Sequence, residues 1–192
     1  MRGHNAIRDE LHRMASPVHA GAELEPLALI PSQPALRQAD VLTSACHNGR
    51  FMAIDVGVIC PAAAGAGADC VVTMDQRKRA RMIPYAAELN QSAIEYQPFA
   101  LSCWGRLHPS ADKMIKSLAR YKARREGLSS ENSIYRQLVA RITSCVWRRA
   151  ARMALRCRPC ASGDEAPGEL SIDAACVVRA GDPASADLPP LP

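Results

Sequence analysis

At 192 residues and 48% hydrophobic composition, the chain has room for one domain of ordinary size with a real core, plus a tail. No apolar run reaches the roughly 18 residues of a bilayer-spanning helix, and the start, Met1-Arg2-Gly3-His4-Asn5, leads into a charged amphipathic segment instead of a signal sequence. A place inside the cell, nuclear or cytoplasmic, with no membrane partner, is therefore expected, and the formal charge of +5 excludes neither a protein nor a nucleic-acid partner.

In chain order, Ile7, Leu11 and Met14 share one face of a helix over about 4–15, ended by Ser16-Pro17. Leu27-Ala28-Leu29-Ile30, closed by Pro31, reads as a strand. Ala39 to Thr43 and Phe51 to Cys60 read as two more, joined by a turn-like Cys46-His47-Asn48-Gly49-Arg50 whose Asn-Gly is a hairpin signal. In the longer strand Met52, Ile54, Val56 and Val58 line one face, and Phe51, Ala53, Asp55, Gly57 and Ile59 the other. An acid amid such apolar neighbours needs a cation, a proton or a metal.

After an Ala/Gly-rich loop, a helix is predicted over 72–90, kinked at Pro84, with Met74, Lys78, Met82, Tyr85 and Leu89 on its inward stripe. Glu95 to Cys103 reads as a strand that Pro98 restricts to an edge or bulge. A helix capped by Ser110 and stopped by Gly127 follows, then one opened by Ser130-Glu131, with Ile134, Leu138, Ile142, Cys145 and Val146 inward. Between Lys113 and Arg158 thirteen Lys or Arg stand against Glu126 and Glu131 alone. That density suits a phosphate backbone, or simply the solvated faces of two helices. The order predicts an α/β domain over 1–158, and the Pro/Ala/Gly-rich composition of 159–192 predicts a disordered tail.

The eight cysteines lack regular spacing and read as thiols. Cys157 and Cys160 make only half a zinc knuckle. A phosphate-cradling loop is absent, because Gly65-Ala66-Gly67 lacks the terminal Lys-Ser or Lys-Thr, and so is a nucleophile elbow.

Helix, three strands, helix and strand, with Asp40 opening the second strand and Asp55 inside the third, resembles the PD-(D/E)XK, or restriction-endonuclease-like, fold: an αβββαβ core, here followed by two basic C-terminal helices. Arg37-Gln38-Ala39-Asp40-Val41-Leu42, Gly49 to Val56, Gly105-Arg106-Leu107-His108-Pro109 and Trp147 to Met153 are similar to the tail regions of retrotransposon-type reverse-transcriptase open reading frames. The similarity covers roughly 4–157. It implies a divalent ion, Mg²⁺ with Mn²⁺ as substitute, held by Asp40, Asp55 and the Val56 carbonyl. It also implies association with a reverse transcriptase, and Glu10 as holder of a water or second ion. With only two Trp, four Tyr and two Phe, a stacking platform for single strands is poorly supported, and a duplex DNA backbone fits better as partner.

The family's signature lysine, two positions after the second acid, is replaced by Gly57. Some members supply it from the following helix, which points to Lys78, with Gln76, Arg77 and Arg81 as weaker substitutes. Lys113, Lys116, Arg120, Lys122, Arg124, Arg125, Arg148, Arg149 and Arg152 would grip the backbone. Each residue also has a structural reading: Asp40 as a turn cap or partner of Arg37, Asp55 as a buried acid satisfied by an arginine or backbone groups, Lys78 as a snorkelling side chain, Glu10 as an exposed helix acid. Three functions stay open: a Mg²⁺-dependent DNA endonuclease, a decayed nucleic-acid-binding module of the same fold, and a helical protein-interaction domain.

Overall fold

The Ile7, Leu11 and Met14 stripe folds as predicted, on α1 (Arg2–Ala15), in a computed structural model that describes residues 2–19, 21–45, 50–63, 65–128 and 130–156. The chain divides into Met1–Arg158 and Pro159–Pro192; the predicted disordered tail, the Cys157/Cys160 pair and the hairpin turn at 46–49 lie outside the described residues.

Four strands form one sheet in the order β1 (Glu23–Leu24), β2 (Val41–Thr43), β3 (Phe51–Ile59) and β4 (Ile94–Ser102). The first two pairings are antiparallel, and β3 to β4 is parallel. Pro98 sits opposite Asp55 on the edge strand, where a missing N–H does least harm. The first predicted strand needs correcting: Leu27 to Ile30 is irregular, and β1 is instead the short Glu23–Leu24. Ala28 has φ of 56° and donates to the Pro34 carbonyl, while prolines at 26, 31 and 34 remove ladder donors. Leu29 and Ile30 are buried all the same, so burial persists without the strand.

The predicted 72–90 helix is α2 (Cys70–Met82), a single 3₁₀ turn at Ile83–Tyr85 around Pro84, and α3 (Ala86–Gln91). Then come α4 (Pro109–Glu126) and α5 (Glu131–Arg156). The cap of α4 is His108 and not Ser110: Pro109 takes the first helical position, and the His108 ring accepts from the Ser110 amide. Gly127 ends that helix at φ of 66°, as its freedom from a Cβ allows.

The alternation of β3 sorts two cores. Met52, Ile54 and Val56 pack with Phe99 and Leu101 of β4 against α1, α4 and α5. Ala53 faces the other way, with Met82, Leu89 and Tyr96 beside the α2–α3 segment. Phe99, Ile54 and Leu101 are fully buried, each worth roughly 1.5–3 kcal/mol of transfer free energy. The result is a mixed α/β unit with helices on both faces of its sheet. Among the described residues no helix is long and apolar enough to cross a membrane.

Candidate functional site

Asp40 lies one residue before β2. The β2–β3 ladder ends at the Val41–Ile54 pair, and Asp40 meets the neighbouring strand just beyond it. Its backbone is taken up elsewhere, the amide on the Ile54 carbonyl (2.8 Å) and the carbonyl on the Glu25 amide (2.8 Å). Its carboxylate therefore replaces the ladder at Val56, accepting that amide at 2.6 Å through Oδ2, while Oδ1 meets His4 Nε2 at 2.8 Å. Arg37, the alternative partner, bonds Glu25 instead.

Asp55 points to the α2 side of the sheet, its side chain only 10% exposed. A carboxylate there without counter-charge would cost several kcal/mol. Lys78 Nζ lies 2.5 Å from Oδ1, the Tyr96 hydroxyl donates to Oδ2 at 2.5 Å, and Arg81 stands 3.6 Å away. Lys78 is 12% exposed, so its ammonium is committed to this acid and does not snorkel to solvent. Burial, the Asp55 charge and the bond to it hold the Tyr96 phenol far above the ordinary tyrosine range, and Asp40 adds to the effect. The two carboxylates therefore act on one phenol.

Gly57 explains how Lys78 arrives. A Cβ at that position would lie 2.6 Å from Lys78 Cε and 3.0 Å from Met74 Cγ. The lysine stem thus fills the space that a side chain two residues after Asp55 would occupy. Val71, Met74, Asp75, Lys78 and Met82 recur at helical spacing on the face that packs against β3 and β4, and this places the ammonium over the strand.

Glu10 is not brought to this group. It is buried, contrary to an exposed helix acid, and it pairs with Arg13 and, at 2.5 Å, with Arg141 Nε on α5. It lies six residues beyond His4, about 9 Å along the helix, and its partners draw it to α5.

The basic helices are partly self-neutralised. Lys116 pairs with Asp112 (2.7 Å), Arg120 with Glu131 (3.3 Å) and Lys122 with Glu126 (3.7 Å), while Arg125 donates to the Val18 carbonyl (2.6 Å). Arg148 donates to the Ser144 carbonyl of its own helix; Lys113, Arg124 and Arg152 are exposed and Arg149 half-buried. Next to the acids, α2 carries Arg77, Arg79 and Arg81, all exposed, with Arg77 on the Gly65 carbonyl and Arg79 on Asp75. Gln76 is exposed on the same helix.

Sequence reasoning missed Tyr96 and His4 as site residues. Tyr96 was legible only through its register, since it shares a sheet face with Asp55 and Gly57.

Among the described residues no group of three or more His, Cys, Asp or Glu side chains converges on a metal position. Two carboxylates and a carbonyl are too few for calcium's six to eight oxygens or a closed zinc site. They do fit Mg²⁺, which keeps several waters. Each carboxylate spends two hydrogen bonds on protein donors, so about half its lone-pair positions remain for a hard cation. No protein-family model, curated protein or solved structure matches the chain.

Proposed function

We propose that this chain is a Mg²⁺-dependent nuclease module that hydrolyses phosphodiester bonds in DNA. It would be built on a restriction-endonuclease-like core and be of retroelement origin, acting beside a reverse transcriptase. One observation carries the reading: Asp40, just before β2, accepts the Val56 amide next to Asp55 at 2.6 Å, and Lys78 reaches Asp55 through the space left by Gly57. That is a two-acid, one-lysine set assembled from three elements. The retroelement connection and the polymerase partner rest on the sequence resemblance.

Mg²⁺, or Mn²⁺ in its place, held by the Asp40 and Asp55 carboxylates and the Val56 carbonyl would supply Lewis-acid polarisation of the scissile phosphate and a more acidic water. The protein's own part is positional. The Val56 amide and His4 fix Asp40, and Tyr96 fixes one Asp55 oxygen. The Lys78 ammonium orients a water by hydrogen bonding and offsets charge on the phosphate. Arg77 and Arg81, on the same helix, are suited to the flanking backbone.

A second reading has its own observation. At 2.5 Å, Lys78 already neutralises Asp55, so the ammonium can serve as a permanent counter-ion in a binding-only descendant of the fold. Supercoiled plasmid incubated with Mg²⁺, with Mn²⁺ and with EDTA separates the two. Metal-dependent nicking by the wild type, lost in Asp55→Asn and Lys78→Ala, is the expected result. Plasmid left intact but retarded on a gel at low salt would establish the binding-only reading, and neither effect would remove nucleic acid as the partner. Thermal unfolding reads the ion without catalysis: Mg²⁺ at ten times its Kd should add about 1.4 kcal/mol, a gain absent in Asp40→Asn.

A further inference from the structure

The chain's only two tryptophans, Trp104 and Trp147, stand 43 residues apart in sequence and meet on the surface. Their ring centroids are 6.4 Å apart at an interplanar angle of 59°, yet they remain 60% and 52% exposed. Neither ring uses the other as cover. Large aromatic surfaces left in water mark a binding surface more often than a packing remnant.

The approach of the two is built in. Trp104 follows β4, and Gly105 beside it has φ of 88°; a Cβ there would lie 3.3 Å from Thr143 Cγ2 and 4.0 Å from Trp147 Nε1. A glycine thus allows this turn to lie directly on α5. From Trp147 a surface groove of about 440 Å³ runs along the helix past Ser144, Thr143, Ala140 and Val139 to Arg136. Arg136 and Trp147 lie on one stripe, eleven residues and so about 16 Å apart.

The chemistry of the groove selects its occupant. Its floor is Val139, Ala140, Thr143 and Ser144, with the rings of Tyr135 and Trp147 beside them. Its large features are flat π faces. Every charged residue of α5 beyond Glu131 is an arginine; Arg141 pairs with Glu10, and Asp112, which accepts from the Tyr135 hydroxyl, is occupied by Lys116 as well. Aromatic faces in line with the exposed Arg136, and with Arg148 next to Trp147, suit unpaired bases joined by phosphates.

We infer that the Trp104–Trp147 groove is a binding platform for single-stranded nucleic acid: bases stack on the two indoles while Arg136 and Arg148 hold the backbone. This goes beyond the hydrolytic reading and does not rest on it. The platform would give the protein a grip on an unpaired strand separate from the acids on the α2 side.

Because the two indoles are the only ones in the chain, intrinsic tryptophan fluorescence reports on this surface alone. The full chain, in EDTA, is titrated with short oligothymidylate and, separately, with a duplex. The expected result is saturable quenching by the single strand that weakens as salt rises. Trp147→Ala and Trp104→Ala should each lower affinity about tenfold, and Trp147→Phe should retain most of it. Absence of quenching, or alanine variants that bind normally by anisotropy, would overturn the inference. So would sedimentation showing that Trp147→Ala converts a dimer to a monomer while oligonucleotide binding is unchanged, since the groove would then be an interface between copies.

Discussion

Placing a lysine at position 57, where the proposed reading expects one, tests the assembly of the site most directly. Gly57 is buried in extended strand backbone, so a side chain there meets no torsional barrier, only Lys78 Cε at 2.6 Å and Met74 Cγ at 3.0 Å. In Gly57→Ala the flexible lysine must withdraw by about an ångström, the kind of overpacking that costs roughly 1–3 kcal/mol. Replacing a strand glycine returns about 0.5–1 kcal/mol, so the fold should survive with a small loss. The 2.5 Å contact to Asp55 should not survive. Plasmid nicking should fall at least tenfold, approaching Lys78→Ala, for which removal of one transition-state donor predicts about 10²–10³-fold. In Gly57→Lys/Lys78→Ala the clash is gone, and a lysine two residues from Asp55 projects from the same sheet face. Activity should rise at least tenfold above Lys78→Ala alone. A folded double variant no better than Lys78→Ala, or a fully active Gly57→Ala, would refute the relocated lysine.

Tyr96, held protonated in the fold, stabilises it fully below the ordinary tyrosine value of 10.0. Above that pH the unfolded phenol ionises and stability is lost, at up to about 1.4 kcal/mol per pH unit. Urea unfolding should show this alkaline slope in the wild type and a shallower one in Tyr96→Phe; equal slopes would detach the phenol from Asp55. Glu10→Gln, which strips the buried partner from Arg13 and Arg141, should lower stability by about 1–3 kcal/mol while metal-dependent nicking persists. Lost nicking in a well-folded Glu10→Gln would return that acid to the site.

The parts legible in sequence were those fixed by short periods. Alternation along β3 put Asp55 and Gly57 on one face, and the 3.6-residue stripe of α2 put Lys78 inward, as the structure has them. What escaped depended on long-range pairing. Tyr96 reads as an ordinary strand aromatic until the parallel register sets Ala53 opposite it and Pro98 opposite Asp55. His4 lies on a surface turn of α1 and gains meaning only because Asp40 turns a carboxylate to it. The 27–30 strand failed because an apolar run reports burial, and three prolines with a left-handed Ala28 satisfied burial without a ladder. The charge count of the basic helices was legible, but not its pairing: Lys116, Arg120 and Lys122 meet Asp112, Glu131 and Glu126 within the helices themselves.

Gly57 and Lys78 are best understood as one feature. A glycine inside a strand forgoes about 0.5–1 kcal/mol relative to alanine. A structural salt bridge alone would not require that loss, since a lysine stem can reach a buried acid by many routes across a surface. What the glycine permits is one route: a stem passing over the strand at position 57, with its ammonium on Asp55. On the proposed reading, Lys78 brings from α2 the charge that the sequence resemblance would place at position 57, 21 residues earlier. A site selected only to neutralise Asp55 has no reason to keep that geometry, whereas one that must set a cation beside two acids and a phosphate does.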